Sequence, residues 1–185
     1  MFSNSSLDLR RSELELQRYC FIEPSKKYTR NLIATDNETY TLLLMCWNPG
    51  KFSPIHDHPC DGCWMRVVQG SIREIRYEKK EETNSLSCTS DNTFVGKNAI
   101  AIFYLVTWFC ISSSPSNIVK ESEHTFIDDN QGYHKIGNPS ENQMAMTIHL
   151  YSPPIKQCHV WMDVCQASNP STISLSNFSE YGCEV

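Results

Sequence analysis

The stretch GKFSPIHDHPCDGCWMRVVQG, Gly50–Gly70, places His56 and His58 one residue apart and follows them with Cys63. In an extended chain, residues i and i+2 point to the same face. His56 and His58 can therefore reach one metal ion together, with Asp57 turned the other way. Two surface histidines, or two held by ordinary hydrogen bonds, fit a bare H-x-H equally well. The residues on either side have to decide between these readings.

Working outward, the chain reads as β-structure. TYTLLLMCW (39–47) is a buried strand that stops at the turn signal NPG. WMRVVQGSIREIRY (64–77) reads as two strands around Gln69-Gly70, with Ile72, Ile75 and Tyr77 interleaved with charges in the second. MAMTIHLYSPP (144–154) alternates and ends at a double proline, and HVWMDVC (159–165) is a further candidate strand. EKKEETNSLSCTSDN (78–92) is a solvated loop or hairpin. Only residues 7–20, with Leu7, Leu14 and Leu16 among charges and a cap near Ser5 or Ser6, suggest a short amphipathic helix. Many short strands with turns between them predict an all-β sandwich or small barrel.

Composition narrows the class. The 185 residues are 40% hydrophobic and 20% charged with a net charge of −5, which suits one globular domain over residues 1–185. No run of Lys or Arg favours a nucleic-acid or membrane partner. Nine irregularly spaced cysteines behind a polar N-terminal segment predict free thiols in a reducing, cytoplasmic setting. NAIAIFYLVTWFCISSSPSN (98–117) stands out because it has no charge and is apolar over 99–111 but for Thr107. It is too short to cross a bilayer. It reads either as a buried strand with a Ser/Pro loop or as an atypical insertion over 97–120, such as the translation of an unspliced intron.

The spacing of Gly50, His56, His58, Cys63 and Gly70 resembles the first motif of the cupin barrel, in many of whose members a glutamate stands where Cys63 is. His134 and Asn138, in GYHKIGN, resemble the end of the second cupin motif, which supplies a third histidine. Three neutral imidazoles suit a divalent transition metal. Cysteine in place of the glutamate, within a three-histidine set, resembles the cysteine dioxygenase family (type I). YTRN (28–31) is similar to that family's substrate-binding segment, CW (46–47) matches its approach to H-D-H, and HLYSPP (149–154) is similar to its C-terminal signature. The resemblance covers roughly residues 28–77 and 125–165.

The resemblance implies a cupin double-stranded β-helix with one or two short N-terminal helices. It implies an Fe(II) enzyme that adds both atoms of O2 to the sulfur of free L-cysteine. The product would be cysteine sulfinic acid (3-sulfinoalanine), the first step toward taurine and sulfate. His56, His58 and His134 would hold the iron. Arg30 would read the substrate carboxylate through its planar fork of donors, and Tyr28 would line the same pocket. Tyr151 would place its hydroxyl near the metal with His149 hydrogen-bonded behind it, and Cys63 would be joined to Tyr151 by a thioether bond. Another thiol dioxygenase, acting on a mercaptocarboxylate or cysteamine, is the near rival. Arg30 argues against cysteamine and Cys63 against the mercaptocarboxylate enzymes. A non-catalytic metal-binding cupin is the more distant rival. His124 and His159 have no motif around them and are expected to be structural. The part before Tyr28 is shorter than the family leads one to expect, and the gap before TFIDDNQGYH is longer. A monomer is expected, with L-cysteine and O2 as partners.

Overall fold

The structure is a computed structural model that describes residues 15–96, 118–120 and 124–185. It is built from two seven-stranded sheets. The first takes β1 (Tyr28–Thr35), β2 (Thr41–Trp47), β4 (Gly62–Gln69), β8 (His124–Ile127), β10 (Ala145–Ser152), β13 (Ser179–Glu180) and β14 (Cys183–Glu184), in the order β14-β13-β1-β2-β10-β4-β8. The second takes β3 (Ile55–His56), β5 (Ser71–Lys80), β6 (Ser85–Val95), β7 (Ile118–Lys120), β9 (Tyr133–Gly137), β11 (Gln157–Trp161) and β12 (Ser171–Ser174), in the order β12-β11-β3-β9-β5-β6-β7. Neighbours are antiparallel except β1 with β13 and β6 with β7. The cupin barrel expected from the sequence is the architecture observed.

The strands follow the predicted ones closely. β2 fills the TLLLMCW run, and β4 and β5 meet at Gly70, whose φ of +75° suits the tight turn. The polar 78–92 stretch is the hairpin of the two alternatives, since β5 runs to Lys80 and β6 starts at Ser85. Of the expected helix, residues 7–14 lie outside the described residues, and 15–17 form a single helical turn. Of the suspected insertion, only Ile118–Lys120 is described, as the edge strand β7 beside β6.

Alternation along the strands builds the core. In β10 every second residue, Ala145, Thr147, His149 and Tyr151, is buried. Their side chains share one face with Leu43, Met45 and Trp47 of β2 and with Cys63, Met65 and Val67 of β4. Trp47 is fully buried, and its indole donates to Thr147 Oγ1 at 2.8 Å, so the large ring leaves no polar atom unpaired. Asn138, also fully buried, closes the loop after β9. Its amide nitrogen donates to Gln143 O and Trp47 O, while its oxygen accepts from Ser140 N.

Gly137 lies where the Lys51–Phe52 segment passes very close. A Cβ added there would fall against Lys51 O and within 2.6 Å of Phe52 Cα. These are backbone atoms that cannot swing aside. Gly137→Ala is therefore expected to cost about 1–3 kcal/mol by overpacking, read as a lower urea midpoint with an unchanged slope.

Candidate metal centre and cavity

His56 ends β3, His58 follows two residues later, and His134 is in β9, where it is the direct cross-strand partner of His56. A ring nitrogen from each lies within 4.8 Å of the others. Strand β3 stops at His56, yet the chain stays extended enough for both rings to point inward. Asp129 Oδ1 fixes this bend by accepting from His58 N at 2.6 Å. Asp57 turns outward, as the i, i+2 argument requires, and accepts from His159 N and Nδ1 at 2.7 and 2.6 Å. His159 is thus held by Asp57 on the side turned away from His56 and His58.

The hydrogen bonds around the rings fix which nitrogens are bare. Pro54 O, 3.0 Å from His56 Nδ1, can only accept, so that nitrogen carries the proton. Glu74 Oε1, 2.8 Å from His134 Nδ1, imposes the same tautomer there. Both Nε2 atoms are then lone pairs, and they face each other at 3.2 Å. Burial holds all three imidazoles below their ordinary pKa range, so a shared proton does not relieve the contact. His58 Nδ1 is buried with no hydrogen-bond partner. Two opposed lone pairs and an orphaned third nitrogen fit a bound cation.

Glu74 is a residue the sequence reading missed. Only 1% exposed, it accepts from His134 and pairs with Arg76 Nε at 3.1 Å, and Arg76 in turn donates to Thr125 Oγ1 and Phe126 O. A carboxylate behind a ligating histidine fixes the ring and strengthens it as a donor. Glu74→Gln is expected to weaken metal binding about 10- to 100-fold, measured by titrating the metal-free protein.

The opposite wall comes from the first sheet. Tyr28 and Arg30 share a face of β1, and Tyr28 packs on Trp47 with ring centroids 4.6 Å apart. Arg30 and Tyr151 are adjacent, the guanidinium carbon lying 5.6 Å from the phenol ring centroid. Together with His56, His134 and His149 they line a small cavity of about 30 Å³. Apolar residues of the C-terminal strands, including Cys158, Val160 and Ile173, line it too. Arg30 Nε is buried without a partner, and among the described residues no carboxylate pairs with this cation.

Cys63 and Tyr151 are direct cross-strand partners between β4 and β10. Burial pushes the Tyr151 phenol well above its ordinary range, with Arg30 opposing, and burial raises the Cys63 thiol as well. His149 differs in detail from the expectation. Its ring stacks on that of Tyr151 at 6.0 Å, but no hydrogen bond runs to the phenol. Residues 149 and 151 are parallel neighbours on one strand face, which places the rings side by side. The hydrogen bonds run instead from Trp47 Nε1 to Thr147 Oγ1, then between Thr147 Oγ1 and His149 Nε2 at 2.9 Å, leaving His149 Nδ1 beside Cys63 Sγ at 3.7 Å. Burial and the Arg30 charge hold His149 down to about 3, so its ring is neutral. Thr147, the middle of this chain, was also missed, although it sits two residues before His149 on the same face.

The sequence model of the family described as cysteine dioxygenase type I matches residues 7–106 and 110–163. The chain belongs to the cysteine dioxygenase type I family. Cysteine dioxygenase type 1 of Rattus norvegicus is 26% identical over 157 residues, covering 84% of this chain and 65% of the relative. The Bos taurus protein of the same name is 28% identical over 135 residues, covering 73% of this chain and 56% of the relative. The chain thus spans less than two thirds of the length of these cysteine dioxygenases. Among solved structures it is similar to a double-stranded β-helix protein from Klebsiella pneumoniae, at 11% identity and a TM-score of 0.46, covering 75% of this chain and 81% of that one.

Proposed function

We propose that this chain is an Fe(II)-dependent thiol dioxygenase that oxidises L-cysteine with O2 to 3-sulfinoalanine, opening cysteine breakdown toward taurine and sulfate. The observation that carries the substrate choice is Arg30, a cation with a buried, unpartnered nitrogen in the same cavity as His56 and His134. Such a site favours a small molecule with a carboxylate at one end and a metal-seeking group at the other. Family membership supplies the thiol chemistry.

In this reading His56, His58 and His134 hold the iron, which when bound supplies a seat for the thiolate and the redox chemistry of O2. Three uncharged imidazoles leave the metal's positive charge for the incoming thiolate. Arg30 grips the carboxylate through two parallel hydrogen bonds, which fixes the far end of the substrate. Tyr28 and Trp47 wall the cavity and limit its size. Tyr151, kept protonated by burial, offers an O–H donor to the reacting end. The Thr147–His149 pair and the stacked ring hold that phenol in place. Sulfinic acid is not returned to thiol by ordinary cellular reductants, so the step would be a committed one.

The test is oxygen uptake by the iron-loaded protein. Uptake with L-cysteine, matched by formation of the sulfinic acid and far above that with cysteamine or a mercaptocarboxylate, is expected. Preference for cysteamine would remove the role given to Arg30. No uptake with any thiol would leave a metal-binding cupin without this activity.

The cross-strand placement of Cys63 and Tyr151 supports a thioether between Sγ and the ring carbon next to the phenol oxygen. The thiol hydrogen and the ring hydrogen leave, with O2 taking up the two electrons and two protons. After turnover, mass spectrometry is expected to show a species lighter by two hydrogens, its Cys63 and Tyr151 peptides joined even after strong reduction. Cys63→Ser should abolish that species while leaving metal bound. Wild-type protein with proven turnover and no joined peptides would count against the bond.

A further inference from the structure

Behind the cavity, on the other face of the first sheet, three sulfur atoms meet. Cys20 Sγ lies 3.7 Å from Cys46 Sγ and donates to Met146 Sδ at 3.5 Å. Cys46 is buried in β2, directly between Thr29 of β1 and Met146 of β10. The next residues along β1 and β2, Arg30 and Trp47, line the cavity. Cys20 comes from the segment before β1, and that segment is already docked here. Thr29 Oγ1 and Asn31 Nδ2 donate to Phe21 O at 2.6 and 3.2 Å, and Asn31 Nδ2 also reaches Cys46 Sγ at 3.6 Å.

We propose that Cys20 and Cys46 form a reversible disulfide that ties the segment before β1 to the back of the sheet carrying Arg30 and Trp47. Sulfurs already in contact close to the roughly 2 Å of a disulfide by side-chain rotation. The two thiols divide the work. Cys20 is half-buried and reachable from solvent, whereas Cys46 is covered. The neighbouring Cys46 holds the Cys20 thiol down to about 7, against the opposing effect of burial, so Cys20 is the nucleophile. The oxidant is hydrogen peroxide. The Cys20 thiolate takes one oxygen to become a sulfenic acid, releasing water after protonation. Cys46 sulfur then displaces the hydroxyl as a second water. Two thiols and one peroxide give one disulfide and two waters, and a dithiol reductant reverses the bond.

The experiment treats reduced full-length protein with stoichiometric hydrogen peroxide, alkylates the remaining thiols and maps the peptides without reduction. The peptides holding Cys20 and Cys46 are expected to be joined and to separate on addition of a dithiol, which distinguishes them from a Cys63–Tyr151 thioether. Closing this loop should raise the thermal midpoint by roughly 5–10 °C. The rise should be lost on reduction and absent in Cys20→Ser, whose thermal midpoint should match that of the reduced wild type if the variant folds. Separate alkylation of Cys20 and Cys46 after peroxide has oxidised other cysteines would overturn the proposal. So would a thermal shift that Cys20→Ser retains.

Discussion

His134→Ala is expected to leave the protein with less than about a tenth of its bound iron and no measurable oxygen uptake with L-cysteine. Of the three histidines it is the most firmly held, with Glu74 at one nitrogen and His56 Nε2 opposite the other. Its removal takes away one donor and the restraint on the facing imidazole. The fold should survive, because the buried Glu74 carboxylate keeps Arg76 and Thr125 as partners. Metal analysis and thermal unfolding on the same sample separate loss of a ligand from loss of structure. His56→Ala should behave alike with less structural disturbance, since its Nδ1 is held only by Pro54 O and not by a buried carboxylate. Full iron and activity in His134→Ala would move the third ligand elsewhere. His159 is a poor substitute, because Asp57 holds it on the outward side, and among the described residues only His56, His58 and His134 bring their ring nitrogens together.

Arg30→Ala is expected to raise the KM for L-cysteine while leaving bound iron nearly unchanged. Removing one partner of a buried charge pair costs about 2–5 kcal/mol, which corresponds to roughly 30-fold to several thousand-fold. Arg30→Lys keeps the charge but loses the fork, so it should fall between. Steady-state oxygen uptake across cysteine concentrations reads the effect. The sharper check is relative. The variant should lose its preference for cysteine over cysteamine, because the discarded interaction is one that cysteamine never makes. A variant that still oxidises cysteine normally and rejects cysteamine would refute the assignment.

The parts legible in the sequence were those where strand alternation alone decides placement. Tyr28 with Arg30, His56 with His58, and His149 with Tyr151 are all i, i+2 pairs, and each pair arrives on one face. The facing of Cys63 and Tyr151 came from the family resemblance, since register between strands distant in sequence is not written in either strand. Glu74 was lost among the charges of SIREIRY. The same alternation could have found it, because it shares the face of fully buried Ile72. What hid it was the assumption that a charged residue in a strand is solvated, whereas here β9 brings His134 and Arg76 lies alongside. The apolar C-terminal lining, Cys158 to Ile173, was not legible either, because its role depends on β11 and β12 joining the second sheet beside β3. The 97–117 stretch lies outside the described residues.

The two sheets divide the cavity's labour. Arg30, Tyr28 and Tyr151 belong to one layer, while His56 and His134 belong to the other. A ligand gripped at its carboxylate by the first and at its sulfur by a metal on the second bridges a gap that packing of the core holds nearly constant, since stacked sheets sit about 10 Å apart. The barrel then acts as a ruler. Under the proposed function it would measure the number of carbons between carboxylate and thiol, and lengthening or shortening that chain would misplace one end however well the other is bound. Selectivity among thiols would therefore be written in the spacing of the layers as much as in any side chain that touches the substrate.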